Sequence, residues 1–292
     1  PHVPEAGALW DAADLVLAVG SDLDGMSTQN WRQPQPPALV VVNVDPSDGA
    51  GGYTATHALA ATAGDGCAAL LRALGDGPQR PPWADLGDVR ERAWARLRDA
   101  FGPELEFLDA VGAALPPEAV VLADMCIPGY WLAGFRRVPA PRRLQYPMGW
   151  GTLGYAFPAA LGAASAGAGP VVSFSGDGGF LFACGELATA AQERLPLTAV
   201  VVDDGGYGML RFDQRASGAP LSGVDLRAPD FAVLAQAFDV HAEAVDGTGA
   251  AFADALARHV ADDEPSLLAV RAALRPPPTT SPRWYRAQAR QR

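Results

Sequence analysis

Short apolar runs, each closed by glycine or an acid, alternate along this chain with stretches whose apolar residues recur at helical spacing. LVLAVG (15–20) and LVVVNVD (39–45) predict two parallel strands, the second ending in Asp45. GCAALLRALG (66–75) predicts a helix with a glycine stop. DGPQRPPWADLGD (76–88) is rich in Pro and Gly and has no period, which predicts a linker and a domain boundary. Beyond it, helices are predicted over 91–102, 105–115, 157–167, 185–195, 231–240 and 253–262. Strands are predicted over AVVLAD (119–124), VVSFSGDGG (171–179, running into a glycine turn), LTAVVVDD (197–204) and SLLAVRAAL (266–274). HAEAV (241–245) follows the helix at 231–240. Strand and helix alternate throughout, so the fold class is α/β with parallel sheets. The tail RPPPTTSPRWYRAQARQR reads as a basic, Pro-rich mobile terminus.

In open parallel sheets, ligands bind outside the carboxyl ends of the strands. Three strands here end in acids: Asp124, Asp177, and Asp204 with its neighbour Asp203. Carboxylates gathered at one edge repel each other unless a cation intervenes. A hard divalent ion, Mg²⁺ by preference, takes oxygen ligands and shares them with phosphates. SGDGGF places Gly176, Gly178 and Gly179 around Asp177 after a strand, where backbone N–H groups can approach an anion. Gly-Asp-Gly is also a common turn, and Asp-Asp before Gly-Gly is often a solvated one. The two together at strand ends favour a ligand.

Composition removes several alternatives. The 292 residues carry a net charge of −11, which argues against a nucleic-acid partner, and 49% are apolar, enough for a sizeable core. The chain contains no lysine. A phosphoacceptor receiver domain and a P-loop both need one. VGSDLDG (19–25) with Asp45 is only a weak dinucleotide fingerprint. Cys67, Cys126 and Cys184 are scattered, with neither disulfide nor metal-ligand spacing, and read as buried thiols in a reducing, cytoplasmic compartment. No stretch is long enough to span a bilayer and no export signal opens the chain. It begins PHVPEAGALW, without Met, as though part of something longer.

GDG (176–178), then 24 residues (179–202), then the paired acids and glycines resemble the signature of thiamine-diphosphate-dependent enzymes. MGWGTLGYAFPAALGAA (148–164) is similar to that family's segment beneath the cofactor's central ring. GELATA and GYGMLR resemble the acetolactate synthase branch, and the likeness runs from about residue 9 to about residue 274. The resemblance implies two doubly wound parallel-sheet domains. A truncated middle domain would occupy 1–75, a linker with a helix 76–103, a thiamine-diphosphate/Mg²⁺-binding domain 104–275 and the tail 276–292.

The roles implied follow position by position. Asp177 and Asp204 would ligate Mg²⁺ through carboxylates and Gly206 through its carbonyl, with Asp203 the other member of the pair. Gly176, Gly178 and Gly179 would face the diphosphate. Leu153 matches the apolar wedge that bends the cofactor, Gly151 the carbonyl that accepts a hydrogen bond from its amine, and Met209 a residue of the pocket wall. The full protein would be a 2-oxo acid decarboxylase or carboligase acting as a homo-oligomer. Its activating glutamate would come from a pyrimidine-binding domain outside this chain. A non-catalytic cofactor-binding subunit, or a benzoylformate- or indolepyruvate-type decarboxylase, are the alternatives.

The chain departs from the family pattern in several places. The family's usual pair is Asn-Asn, whereas Asp203-Asp204 adds negative charge that Arg211 would partly offset. Asp213 stands about where acetolactate synthases carry a substrate-shaping Trp. MCIPGYW (125–131) lacks polar side chains for the diphosphate, which leaves Asp124 and the backbone around Met125 and Cys126 to hold it. Asp22 stands near the place of an FAD-binding Arg, so FAD is not expected. Glu186 reads as structural, and His2, His57, His241 and His259 as surface or helix residues.

Overall fold

The computed structural model describes residues 3–25, 27–45, 47, 51–75, 77 and 81–278; His2 and the tail from 279 onward lie outside them. These residues form two compact units, divided between Asp99 and Ala100. The division falls inside the stretch 76–103 read as linker and helix.

The first unit contains α1 (Pro4–Ala12), β1 (Leu15–Val19), β2 (Ala38–Asn43), β3 (His57–Ala60), α2 (Ala63–Leu74) and α3 (Leu86–Ala100). Its three strands are parallel, in the order β1-β2-β3. Leu39 and Val41 of β2 are fully buried and pack with Ala18 and Leu23. Thr62 caps α2 by accepting the Asp65 N–H, and Gly75 ends it. Where Gly66 meets Val42, a side chain would collide, so the helix presents this glycine to the sheet. Cys67, one position on, is turned outward and exposed. The expectation of buried thiols therefore fails for Cys67, because α2 contacts the sheet through its neighbour. Cys126 and Cys184 are partly buried.

The second unit contains α4 (Gly102–Ala114), β4 (Val120–Ala123), α5 (Ile127–Phe135), β5 (Leu144–Gln145), α6 (Ala156–Ser165), β6 (Val171–Gly176), α7 (Asp177–Phe180), α8 (Leu187–Gln192), β7 (Leu197–Asp203), α9 (Gly208–Ser217), α10 (Phe231–Gln236), β8 (His241–Asp246), α11 (Ala250–Val260) and β9 (Ser266–Arg271). All six strands are parallel, in the order β5-β4-β6-β7-β9-β8. Both sheet faces are covered, as valine-rich parallel strands require. Leu197, Ala199 and Val201 of β7 point into one layer, with Phe157, Phe180 and Phe231. Phe174 of β6 points into the other, where Phe107 packs against both Phe174 and Phe252 at 5.8 and 5.9 Å between ring centres. From β4 the chain goes to β5 on one side and to β6 on the other. The crevice for a ligand therefore opens at the carboxyl ends of β4 and β6.

Some elements differ from the sequence expectation. GDGGF was expected to be a glycine turn and instead forms the one-turn helix α7. The expected helix 231–240 stops at Gln236, and Asp230 caps its start by accepting from Ala232 and Val233 N–H. His57 and His241 are exposed on strands. His259 lies on α11 but is buried, stacked on His241 at 4.9 Å, so it is a packed core histidine rather than a surface one. Glu186 is exposed and accepts from the Thr189 hydroxyl just before α8, a structural role.

Candidate functional site

β6 and β7 are paired so that Gly176 lies opposite Val202, which sets Asp177 level with Asp203 at the strand tips. Asp177 is 1% exposed. Its Oδ1 accepts the Gly178 N–H at 2.8 Å, while Oδ2 is buried and unbonded. Burial above all, and then the like charges of Asp204 and Asp203, push the Asp177 carboxyl up to about 7 against the opposing Gly178 N–H. Asp204 is also pushed up by burial, with the Arg211 guanidinium pulling the other way. Asp204 Oδ1 is buried without a hydrogen bond, 3.5 Å from Arg211 Nη1.

The two acids of the pair are not equivalent. Asp203 Oδ1 accepts the Gly205 N–H at 3.0 Å and closes its own turn. Asp204 faces a cavity, which Asp203 does not line. The turn then runs through Gly205 and Gly206 at φ +81° and +153°. Only glycine adopts this path readily, and a Cβ on Gly206 would also strike the Val224 carbonyl. The Tyr207 N–H donates to Val224 O and the Leu226 N–H to Gly205 O, so the turn is pinned to 224–226.

The segment that precedes α6 is held from the other side. Asp124 is fully buried, and its Oδ1 accepts the N–H groups of Tyr155 at 2.7 Å and Ala156 at 2.8 Å. These bonds fix the end of the loop that carries Gly151 and Leu153. Burial pushes the Asp124 carboxyl up, and the Ala156 N–H opposes it.

A cavity of about 250 Å³ opens between these pieces. Met125, Cys126, Gly151, Leu153, Gly176, Asp177, Gly178, Gly179, Asp204, Gly206 and Met209 all line it. Of the residues singled out from sequence, Asp203 does not line it, and Asp124 stays behind the wall, beneath Gly179. Sequence reasoning missed Tyr130 of α5, Tyr207, and Ala272 and Leu274 beyond β9, which also line the cavity. MCIPGYW was read as a loop because α5 is apolar on every side and has no period; Pro128 at its first turn was the available signal. No side-chain oxygen caps α5, whose start lies beside the cavity. Burial pushes the Cys126 thiol up and the Tyr130 phenol up to about 12.

Two carboxylates, Asp177 buried and Asp204 half-buried, each with an orphaned oxygen and each disfavoured as an anion, form an arrangement that a cation relieves. Among the described residues no three His, Cys, Asp or Glu side chains gather into a metal-binding group. A cation here would therefore rest on two carboxylates and on backbone oxygen. Glycine backbone and an uncapped helix start beside it suit a phosphate.

A family model described as "Thiamine pyrophosphate enzyme, C-terminal TPP binding domain" matches residues 125–270. The chain belongs to the thiamine-diphosphate-dependent enzymes, in their acetolactate synthase-like branch. It is similar to a probable 2-ketoarginine decarboxylase of Pseudomonas aeruginosa, 36% identical over 235 residues, covering 77% of this chain and 41% of that one. It is similar to the acetolactate synthase isozyme 2 large subunit of Escherichia coli, 31% identical over 242 residues (79% and 42%). The acetolactate synthase of Mycobacterium bovis is 29% identical over 256 residues (80% and 40%). The chain thus spans about two fifths of the length of these relatives.

Proposed function

We propose that this chain is the cofactor-binding portion of a thiamine-diphosphate- and Mg²⁺-dependent enzyme that decarboxylates 2-oxo acids or joins the product to a second carbonyl. Asp177 and Asp204 hold Mg²⁺ with the Gly206 carbonyl, and Gly176, Gly178 and Gly179 offer their backbone to the diphosphate. Leu153 and Met209 shape the cofactor, and the Gly151 carbonyl accepts from its amine. When bound, the cofactor supplies a nucleophilic carbon and an electron sink. The apolar walls at Val202, Ala272 and Leu274 exclude water.

The observation that carries this reading is the pair of unbonded carboxylate oxygens on Asp177 and Asp204, at the tips of adjacent strands. Calorimetric titration of thiamine diphosphate with and without Mg²⁺ tests it. Binding is expected to need Mg²⁺ and to weaken at least tenfold in Asp177→Ala; unchanged binding in that variant would reject the metal assignment.

Burial pushes Cys126 and Tyr130, which line the cavity, toward their protonated forms, which favours a portion that binds without turning over alone. A pyrimidine-binding domain supplied by a second subunit completes the site in this reading, in a cytoplasmic homo-oligomer without FAD. A panel of 2-oxo acids, including the guanidinium-tailed 2-ketoarginine of the named relative, assayed with the full protein, separates the substrate classes.

A further inference from the structure

Arg211 presents a puzzle for any cation site. It sits on the first turn of α9 with its side chain 15% exposed, beside a carboxylate read as a metal ligand that is itself 16% exposed. A buried guanidinium next to a divalent cation opposes its binding by simple repulsion. Yet its side chain reaches only the metal turn and the segment 224–226 that pins it. Nη1 lies 3.5 Å from Asp204 Oδ1 and donates to Asp204 O at 3.3 Å. Nη2 donates to Gly205 O at 3.0 Å, and Nε to Asp225 Oδ1 at 3.0 Å. Asp225 is 71% exposed, so water screens its charge; Asp204 is the acid that Arg211 neutralises.

The carbonyls matter as much as the charge. By holding those of Asp204 and Gly205, the guanidinium fork fixes the peptide that ends at Gly206. That residue has no room to adjust, since a Cβ on it would lie 2.8 Å from Arg211 Nη2. One planar group therefore sets the charge of the side-chain ligand and the direction of the backbone ligand.

We propose that Arg211 and Asp204 act as a charge-matched pair in which Arg211 is a positioning residue. It cancels the negative charge that Asp204 adds beside the diphosphate, and locks the turn so that the Asp204 carboxylate and the Gly206 carbonyl face the same ion. This rests on the metal-site reading above. To the metal and the diphosphate, the Asp204–Arg211 pair is electrically equivalent to a neutral amide at position 204. The basic residue and the acid are then useful only together.

The test is a double-mutant cycle in the full protein with Asp204→Asn, Arg211→Met and the double variant, read by calorimetry as Mg²⁺ affinity without cofactor and as thiamine diphosphate affinity in saturating Mg²⁺. Asp204→Asn alone leaves Arg211 with only the exposed Asp225 as counter-charge and weakens Mg²⁺ binding about tenfold. Adding Arg211→Met to it is expected to recover at least fivefold of that loss. In the cofactor readout, Arg211→Met in the parent background lowers affinity about tenfold, and the same substitution on Asp204→Asn is expected to cost much less. Arg211→Lys keeps the charge without the fork and is expected to lie between. A double variant that binds Mg²⁺ no better than Asp204→Asn overturns the pairing, and this comparison holds even where Arg211→Met alone fails to fold. Cofactor binding indifferent to Mg²⁺ in the parent protein would instead sink the metal reading itself.

Discussion

At the scale of the residue, Asp177 is buried beside two like charges with one oxygen unbonded, and each of these facts penalises its ionised form. Its folded value of about 7 stands above the roughly 3.9 of an unfolded aspartate. Between those values the folded chain holds a proton that the unfolded chain has released. Stability in the absence of metal therefore falls as pH rises through that window and levels off above it. Mg²⁺ needs the carboxylate, so its affinity should climb over the same window with release of a proton. Thermal melts from pH 4 to 8, without metal and without cofactor, should show a slope, to which Asp124 and Asp204 also contribute, that Asp177→Asn reduces. That variant should melt higher than the parent at pH 8 by on the order of 2–4 °C per kcal/mol regained. Identical slopes in the two proteins would mean that Asp177 ionises freely.

At the scale of the element, the stretch beyond β9 reaches the cavity only because α4 and α5 hold it. Glu104 of α4 is 1% exposed and accepts the backbone N–H of Arg275 at 2.7 Å and its Nε at 3.1 Å. Trp131 of α5, fully buried, donates Nε1 to Arg275 O at 2.7 Å, and the Arg275 guanidinium lies over the Phe101 ring at 4.7 Å. Ala272 and Leu274 are thereby set into the cavity wall. Glu104→Ala leaves a buried N–H without its acceptor and is expected to cost about 2 kcal/mol in a melt, with Glu104→Gln costing less than half of that. Equal costs would show that the guanidinium, rather than the backbone bond, carries the contact. None of this was legible from the sequence. Glu104 and Arg275 are 171 positions apart, and α5 gives no amphipathic signal because its residues are apolar all round, with Ala133 and Gly134 the exposed ones.

At the scale of the molecule, the mouth of the cavity is rimmed by apolar side chains that water does not favour. Trp150 is 91% exposed on the loop that carries Gly151 and Leu153, and Leu210 is 52% exposed at the cavity wall. Phe182, 66% exposed, packs its Cβ close to Gly154 of that same loop. Exposed apolar side chains of this size near a site are expected to be covered by association. Substituting Trp150→Glu together with Phe182→Glu should weaken self-association of the full protein at least tenfold in sedimentation, since exposed aromatic anchors dominate interfaces. The melt of the dissociated chain should shift little, because neither ring is buried within it. Unchanged association would remove the rim from the interface.

The sequence by itself determined the α/β alternation, the acids at the strand ends and the glycines around them. These are local matters: valine-rich runs form covered strands, and glycine permits close backbone approach whatever lies across the sheet. Asp177, Asp204 and the glycines around them meet in one cavity because strand tips in a parallel sheet all face the same edge. Only the tertiary structure decided which acids look into it. Successive residues at the end of a strand point to opposite sides, and the side that becomes the cavity depends on β4, β6 and β7 lying next to one another. That order turns Asp203 into its own turn, sets Asp124 behind the wall as an anchor for α6, and leaves Asp177 and Asp204 facing the open space.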